Sequence, residues 1–253
     1  MTVANKVLIT GGAQRLGRAI ALDLAAAGWD VAIQYHSSES EALALVAEIE
    51  GAGRHGAAIR ADLRDFAASE ALVAQAAKAL GPLTALVTCA STFEPDELGS
   101  LSKEGFEIQM AVNLRAPIFL AQALARQLPK GAEGAIVNLV DQRVLKPTPK
   151  FFSYTLSKLA LWQATQTLAQ ALAPAIRVNA VAPGPALRNP RQSEAHFKRQ
   201  IDATLLKRAS GPEDIAAAVR YLLSAKAVTG HMLTVDSGQH LIWQTPDVVG
   251  VQE

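Results

Sequence analysis

The chain has 253 residues, of which 50% are hydrophobic and 19% charged, and its formal net charge is +1. This length suits one large domain, and the composition excludes a disordered chain. A near-neutral charge without a basic run, and no uninterrupted apolar stretch near the roughly 20 residues that span a bilayer, argue against nucleic acid and membranes as partners; the single cysteine, Cys89, fits a reducing cytoplasm.

Seven short apolar runs predict strands, and the longer patterns between them predict helices. The strands are expected at Lys6–Thr10, Val31–Tyr35, Ala57–Arg60, Leu83–Cys89, Ala135–Val140, Ile176–Ala182 and His231–Val235. The helices are expected at Gln14–Ala27, Ser38–Glu50, Phe66–Leu80, Lys103–Leu128, Phe151–Leu172, Ser193–Leu206 and Pro212–Ser224. A capping box over Ser38–Glu41 is expected to start the second helix.

Apolar strands that alternate with helices predict a parallel sheet covered on both faces. The fold class is therefore α/β: a single Rossmann-like domain over residues 1–253, with a doubly wound parallel sheet of about seven strands. Residues 243–253 break the periodicity, and we expect them to form a C-terminal tail that reaches a neighbouring subunit.

A glycine-rich turn follows the first strand and opens the first helix. Gly11 permits the tight turn, and Gly17 lets the helix pack closely, so that backbone N–H groups around Leu16 can meet a pyrophosphate. Arg15 takes the place of the usual middle glycine. It is either a tolerated surface residue or, as we prefer, a charge that lies over the phosphates and faces the active-site cleft.

The second strand ends without the acidic residue that selects NAD. Its last segment, Tyr35-His36-Ser37-Ser38, offers an imidazole and hydroxyls to a 2′-phosphate, although Ser38 is nearly as well explained as a helix cap. Beyond the third strand, Asp62 and its neighbour Leu63 are placed to meet the adenine. Asp62 is equally well explained as a cap of the next helix.

Tyr154 and Lys158 lie four residues apart on one helix face, so the ammonium can lower the pKa of the phenol and bind ribose hydroxyls. A tyrosine of this kind is a general acid for a substrate that receives hydride. Asn113 is unfavourable in mid-helix and so indicates a role, unless it is merely a polar helix residue. Asp141, thirteen residues before Tyr154, is either part of this site or a surface partner of Arg143.

These motifs resemble the short-chain dehydrogenase/reductase family over nearly the whole chain, including Pro183-Gly184 and the segment Val235-Asp236-Ser237-Gly238. Within it, several features are similar to the pteridine reductases and the bacterial dihydromonapterin reductases. They are Arg15 in the turn, the Tyr35-His36 segment, Ala90-Ser91-Thr92-Phe93 after the fourth strand, and Asp141 in place of the family's catalytic serine. Two departures are Cys89 where the family has asparagine and Ser37 where pteridine reductases have arginine.

The resemblance implies a pterin site lined by Arg15, Ser91, Phe93, Asp141 and Tyr154. It implies that Asp141, Tyr154, Lys158 and Asn113 are catalytic. The residues expected to bind the cofactor are Gly11, Arg15, Leu16, Gly17, Tyr35, His36, Ser37, Ser38, Asp62, Leu63, Ala90, Ser91, Tyr154, Lys158, Pro183 and Gly184. No metal is expected.

The leading hypothesis is a homotetrameric, NADPH-dependent reductase of a dihydropterin such as dihydromonapterin, dihydrobiopterin or dihydrofolate. Hydride would pass to a ring carbon while Tyr154, or a water held by Asp141, protonates the adjacent nitrogen. The alternatives are a carbonyl reductase, for example of 3-oxoacyl thioesters, and a catalytically idle NADPH-binding regulator.

Overall fold

Seven strands form one parallel sheet in the computed structural model, which describes residues 5–245. They are β1 (Lys6–Thr10), β2 (Asp30–Tyr35), β3 (Gly56–Arg60), β4 (Ala85–Thr88), β5 (Gly134–Leu139), β6 (Ile176–Pro183) and β7 (Met232–Val235). Their order across the sheet is β3-β2-β1-β4-β5-β6-β7, and every neighbouring pair is parallel. The chain therefore winds outward in both directions from the β1–β4 pair, as the α/β prediction requires.

Helices cover both faces of the sheet. They are α1 (Arg15–Ala26), α2 (Glu39–Gly51), α3 (Phe66–Leu80), α4 (Lys103–Met110), α5 (Ala116–Gln127), α6 (Phe152–Leu172), α7 (Glu194–Asp202) and α8 (Pro212–Ser224). Apolar side chains of α1, α2 and α8 bury one face, and those of α3, α5 and α6 bury the other. The five inner strands are almost wholly buried, as continuous apolar runs predict, whereas the edge strands β3 and β7 are partly exposed.

The helix predicted over residues 103–128 is interrupted by a π-helical turn at Ala111–Arg115. Pro117, at the start of α5, has no N–H to donate to the preceding turn, so the regular hydrogen-bond ladder cannot continue there. The stretch Lys103–Gln127 is long and apolar enough to cross a membrane by composition alone, but half of its most apolar window is buried inside the protein. This is the composition of a helix packed on a sheet.

Two other local predictions were wrong. Ser38 is the N-cap residue of α2 but its side chain makes no capping hydrogen bond, and the Glu41 carboxylate accepts from Gln14 and Ser40 rather than from the Ser38 backbone. The helix predicted to reach Leu206 ends at Asp202, and the backbone N–H of Leu206 donates to the carbonyl of Ser237. In the predicted C-terminal tail, residues 246–253 lie outside the described part of the chain.

The glycine turn packs directly against the segment that follows β4. Gly11 has a φ of +62°, and a Cβ there would lie 2.8 Å from the Cα of Ala90. A Cβ on Gly17 would lie 2.1 Å from the carbonyl oxygen of Gly11. Any side chain at either position would therefore move the turn, which Gln34 also holds by accepting the backbone N–H groups of Gly11 and Gly12.

We predict that Gly17→Ala lowers the free energy of unfolding by about 1–3 kcal/mol and weakens binding of a dinucleotide, because the added methyl displaces the turn. The matched control is Gly51→Ala at the end of α2, where a Cβ meets nothing within 4 Å. That change should alter stability by less than about 1 kcal/mol, in the stabilising direction. Urea unfolding and cofactor titration measure both effects. Equal effects of the two variants would contradict the steric argument.

Candidate active site

A cavity of about 390 Å³ opens at the carboxyl ends of β4, β5 and β6, beside the first turn of α1. Open α/β sheets bind ligands at this edge, next to the point where the strand order reverses. The predicted site residues that line it are Arg15, Leu16, Ser91, Phe93, Asp141, Tyr154, Lys158, Pro183 and Gly184. Residues that are far apart in the sequence thus line one pocket, because the sheet brings the ends of their strands together.

The centre of the site is a hydrogen bond from the Tyr154 hydroxyl to Oδ2 of Asp141, at 2.8 Å. The other oxygen, Oδ1, accepts the backbone N–H of Arg143, also at 2.8 Å. The surface ion pair between Asp141 and the Arg143 side chain, considered as an alternative, is therefore not formed. Asp141 instead faces the tyrosine that the sequence analysis identified as the proton donor.

Burial and the neighbouring Asp141 carboxylate raise the pKa of Tyr154 well above its ordinary value of 10.0. The sequence led to the expectation that Lys158 lowers this pKa, but in the protein alone the group that lowers it is Arg143, and the Lys158 ammonium lies 5.8 Å from the ring centroid. The phenol consequently holds its proton at neutral pH.

Lys158 is 2% exposed, and its Nζ donates to the backbone carbonyl of Leu139 at 2.8 Å. Burial lowers the pKa of Lys158 to about 8, although Asp141 and Cys89 act in the opposite direction. Burial also raises the pKa of the Cys89 thiol to about 11. The lysine thus lines the cavity as a cation held in an environment that disfavours charge.

Asn113 is completely buried in the π-helical turn and does not line the cavity. Its side-chain oxygen accepts the backbone N–H of Thr92 and the hydroxyl of Ser91. Its amide nitrogen donates to the Thr92 carbonyl and to the hydroxyl of Ser157 on α6. These contacts make Asn113 a positioning residue that joins the segment after β4 to the helix carrying Tyr154.

Phe93 stacks on Phe151, with ring centroids 4.2 Å apart and an interplanar angle of 3°, and meets Tyr154 edge-on at 4.6 Å. One face of Phe93 is therefore already covered, so a flat ligand would have to use the other. Phe151 was not predicted from the sequence to be a residue of the site. It has a φ of +55°, a strained conformation for a bulky aromatic residue, immediately before α6. The Phe-Phe pair three residues before Tyr154 was the available signal.

Two arginines connect the segment after β6 to other walls of the cavity through hydrogen bonds. Arg15, which has a φ of +53°, donates to the carbonyls of Leu187 and Arg188 at 3.3 and 3.1 Å. Arg191 donates to Glu94 at 2.7 Å and to the carbonyl of Phe93. Arg15 therefore faces the cleft as predicted, but its donors bind loop carbonyls. Arg191 was not anticipated, since nothing local in the sequence marks its partner.

At the far end of the predicted cofactor site, Oδ2 of Asp62 lies 3.6 Å from Nε2 of His36 and accepts hydrogen bonds from Arg64. The Arg64 guanidinium holds the pKa of Asp62 down at about 2. Asp62 does not cap α3, because Asp65 is its N-cap. The hydroxyls of Ser37 and Ser38 make no hydrogen bond within residues 5–245, and Ser37 is exposed, so Ser37 is free to bind a ligand.

The family model described as enoyl-(acyl carrier protein) reductase matches residues 11–240. FolM alternative dihydrofolate reductase 1 from Brucella canis, solved complexed with NADP, is 44% identical, with a TM-score of 0.91 over 96% of this chain and 97% of that one. Dihydromonapterin reductase of Escherichia coli O6:H1 is 29% identical over 243 residues, 95% of this chain and 98% of the relative. 2,3-Dihydro-2,3-dihydroxybenzoate dehydrogenase of Bacillus subtilis is 32% identical over 249 residues, 92% and 95% respectively. The similarity spans almost the whole chain.

We predict that Lys158→Met stabilises the protein without ligand by about 2 kcal/mol at pH 7, because it removes a charge that burial disfavours and loses one hydrogen bond. The folded state holds the Lys158 proton less tightly than the unfolded chain does, so the wild type gains stability as pH rises from about 8 to the ordinary lysine pKa of 10.5. The advantage of the variant should therefore shrink over that window.

Urea unfolding at pH 7 and pH 10.5 tests this, since other groups titrate alike in both proteins. Lys150→Met, at an exposed position just before α6, is the control and should change stability by less than about 0.5 kcal/mol at either pH. A Lys158→Met protein that is less stable than wild type at pH 7 would contradict the assigned burial cost.

Proposed function

The chain belongs to the short-chain dehydrogenase/reductase family, and we propose that within this family it reduces a dihydropterin to a tetrahydropterin with NADPH. The observation that carries the proposal is the hydrogen bond between Tyr154 and Asp141. Candidate substrates are dihydromonapterin, dihydrobiopterin and dihydrofolate. The 44% identity to an alternative dihydrofolate reductase and the 29% identity to a dihydromonapterin reductase support this choice.

The charge of Asp141 distinguishes an enzyme that reduces a pterin from one that reduces a carbonyl compound. The family's catalytic serine donates a hydrogen bond to an oxygen that gains negative charge. A carboxylate has no hydrogen to donate and would repel that oxygen. A pterin presents amino and ring N–H groups that a carboxylate can accept. Reduction of its C=N bond requires one proton at nitrogen, which Tyr154 is placed to give.

NADPH is the cofactor, and it supplies the hydride when bound. The glycine turn fits a pyrophosphate, because Gly11 and Gly17, where a Cβ would strike Ala90 or the Gly11 carbonyl, let the turn pack closely at the start of α1, whose first N–H groups have no acceptor within the helix. No acidic residue ends β2, and the free hydroxyl of Ser37 stands there instead. The solved neighbours from Brucella canis and Burkholderia cenocepacia hold NADP.

In the proposed reaction each residue has one task. Lys158 would donate to a ribose hydroxyl of the bound cofactor. Phe93 would pack against the pterin ring with the part of its own ring that Phe151, Tyr154 and Arg143 leave uncovered. Asp141 accepts ring N–H groups and orients the C=N bond, whose carbon receives hydride as Tyr154, or a water held by Asp141, gives a proton to the nitrogen. The products are the tetrahydropterin and NADP⁺, and the group that gave the proton regains one from solvent, so atoms and charge balance.

A carbonyl reductase of the same family is the second candidate. The 32% identity to 2,3-dihydro-2,3-dihydroxybenzoate dehydrogenase of Bacillus subtilis favours it. In that reaction Asp141 would be incidental. An idle NADPH-binding regulator has no need for the buried Lys158 or for a proton donor aimed at the cavity. The hydrogen bond between Asp141 and Tyr154 is best explained by a substrate whose N–H groups can donate to a carboxylate.

We also propose that the protein assembles as a homotetramer through two surfaces, one on α4–α5 and one on α6. A shallow apolar groove on α4–α5 is lined by Phe106, Met110, Leu114, Ile118 and Phe119. Phe106 is 37% exposed in the single chain. Contact with a second copy would remove this apolar area from water.

Asp141→Ser should lose at least about tenfold in kcat/KM for a dihydropterin, about 1.4 kcal/mol of transition-state stabilisation. Affinity for NADPH should be unchanged, since Lys158 and the glycine turn are not altered. Oxidation of NADPH is followed optically with dihydromonapterin and, in parallel, with an acetoacetyl thioester. Tyr154→Phe serves as the control and should impair whichever substrate takes its proton. If Asp141→Ser reduces dihydromonapterin as fast as wild type does, Asp141 does not bind the pterin, and a carbonyl reductase becomes the better-supported function.

NADPH should be preferred over NADH, because a hydroxyl at Ser37 and the imidazole of His36 meet a 2′-phosphate where other members present a carboxylate. The preference should be modest, since no guanidinium occupies position 37. Ser37→Arg should strengthen NADPH binding and leave NADH binding unchanged. The ratio of kcat/KM for the two cofactors measures this. Equal values in the wild type, or a preference for NADH, would refute it.

A further inference from the structure

Arg143 occupies a fixed position at the wall of the cavity. It lies in a 3₁₀ turn, Gln142–Val144, directly after Asp141. Its guanidinium carbon is 5.0 Å from the centroid of the Phe93 ring, 5.1 Å from that of Phe151 and 5.8 Å from that of Tyr154. Attraction between the cation and these aromatic rings holds a long, otherwise flexible side chain beside the reacting residues.

The Arg143 guanidinium makes no hydrogen bond and no ion pair with any residue from 5 to 245, although the side chain is partly buried and lines the cavity. The two other arginines of the cavity, Arg15 and Arg191, both donate to protein oxygens. Asp141 is not its acceptor either: its two oxygens accept from the Tyr154 hydroxyl and from the backbone N–H of Arg143, and no ion pair joins the two side chains. Five N–H donors are thus available to a molecule inside the cavity.

The cofactor phosphates are not that molecule. They are expected at the glycine turn after β1, whereas Arg143 follows β5, and β4 lies between the two strands. Two strand spacings put these positions about 10 Å apart. Arg143 therefore faces the substrate side of the cavity, beyond the ring position defined by Asp141 and Tyr154.

The charges around the cavity indicate an anionic group. Among the described residues that line it, Arg15, Arg143, Lys158 and Arg191 are basic, and Asp141 alone is acidic. Such an imbalance attracts anions into a cleft. A guanidinium binds a carboxylate through two parallel hydrogen bonds, a match that a neutral hydroxyl does not offer.

Building on the proposed function, we propose that Arg143 binds a carboxylate on the side chain of the pterin. It is then the residue that makes the enzyme favour a dihydropterin with an acidic side chain over one with a neutral polyol side chain. Asp141 and Tyr154 recognise the ring common to both substrates, and Arg143 recognises what distinguishes them.

The test compares kcat/KM for 7,8-dihydrofolate, which has an acidic side chain, with that for 7,8-dihydrobiopterin, whose side chain is neutral. The wild type should favour dihydrofolate. Arg143→Met, which keeps an apolar stem against Phe93, should lower kcat/KM for dihydrofolate about 10- to 100-fold, chiefly through KM, and that for dihydrobiopterin less than about threefold. Arg143→Lys should recover part of the difference, because it restores the charge without the paired donors.

Arg191→Met is the matched control. Its guanidinium already binds Glu94 and Phe93, so its removal should affect both substrates alike and leave their ratio unchanged. A measurement on the wild type alone is independent of any folding defect: raising the ionic strength should increase KM for dihydrofolate and leave that for dihydrobiopterin unchanged.

Two results overturn the inference in distinguishable ways. If the wild type reduces both dihydropterins but the ratio does not change in Arg143→Met, or is insensitive to salt, Arg143 does not bind a substrate carboxylate and the proposed function stands. If the wild type reduces neither dihydropterin with NADPH, the proposed function fails and this inference fails with it.

Discussion

The hydrogen bond from Tyr154 to Asp141 is the interaction on which the chemistry of this site depends. The phenol is buried and its partner is negative, and both conditions favour the protonated form. The proton therefore stays on the oxygen until a substrate accepts it. A donor of this kind suits hydride transfer to a C=N bond, in which the adjacent nitrogen becomes basic as the carbon is reduced. It is poorly matched to an oxyanion, which the same carboxylate would repel.

This bond requires that the end of β5 and the first turn of α6 keep a fixed separation, and buried polar contacts provide it. Asn113 binds the segment after β4 and, through Ser157, the helix α6. The π-helical turn that carries Asn113 gives it this reach at the expense of regular helical hydrogen bonds. Phe151 enters α6 in a left-handed conformation that places its ring on Phe93. Local strain at these positions is balanced by the packing of the surrounding sheet and helices.

The cavity also contains charged side chains in positions where burial disfavours charge. Lys158 is almost completely enclosed, and Arg143 has aromatic rings for neighbours but no hydrogen-bond acceptor among residues 5–245. Groups that destabilise the protein alone are those that a bound cofactor and substrate can satisfy. Functional sites commonly hold such residues, since selection for stability alone would replace them. The cavity therefore presents cationic donors to ligands that carry negative charge.

Much of this was determined by the sequence itself. Apolar runs of strand length, alternating with helical patterns, led to a doubly wound parallel sheet, because these signals are local and repeat. The glycine turn and the Tyr154/Lys158 spacing were equally readable, since each lies within a few consecutive residues. The prediction that Asp141 belongs with Tyr154 came from a resemblance, and the fold placed the two in contact.

Only the tertiary structure decided which partners the charged and aromatic side chains meet. Arg15 contacts Leu187 and Arg188, more than 170 positions away, and the ring of Phe93 lies on that of Phe151. The pKa of Tyr154 depended on burial, which no spacing along the chain expresses. Hydrogen bonds and burial are properties of three-dimensional neighbours, and those neighbours are brought together by packing of the whole sheet rather than by any local pattern.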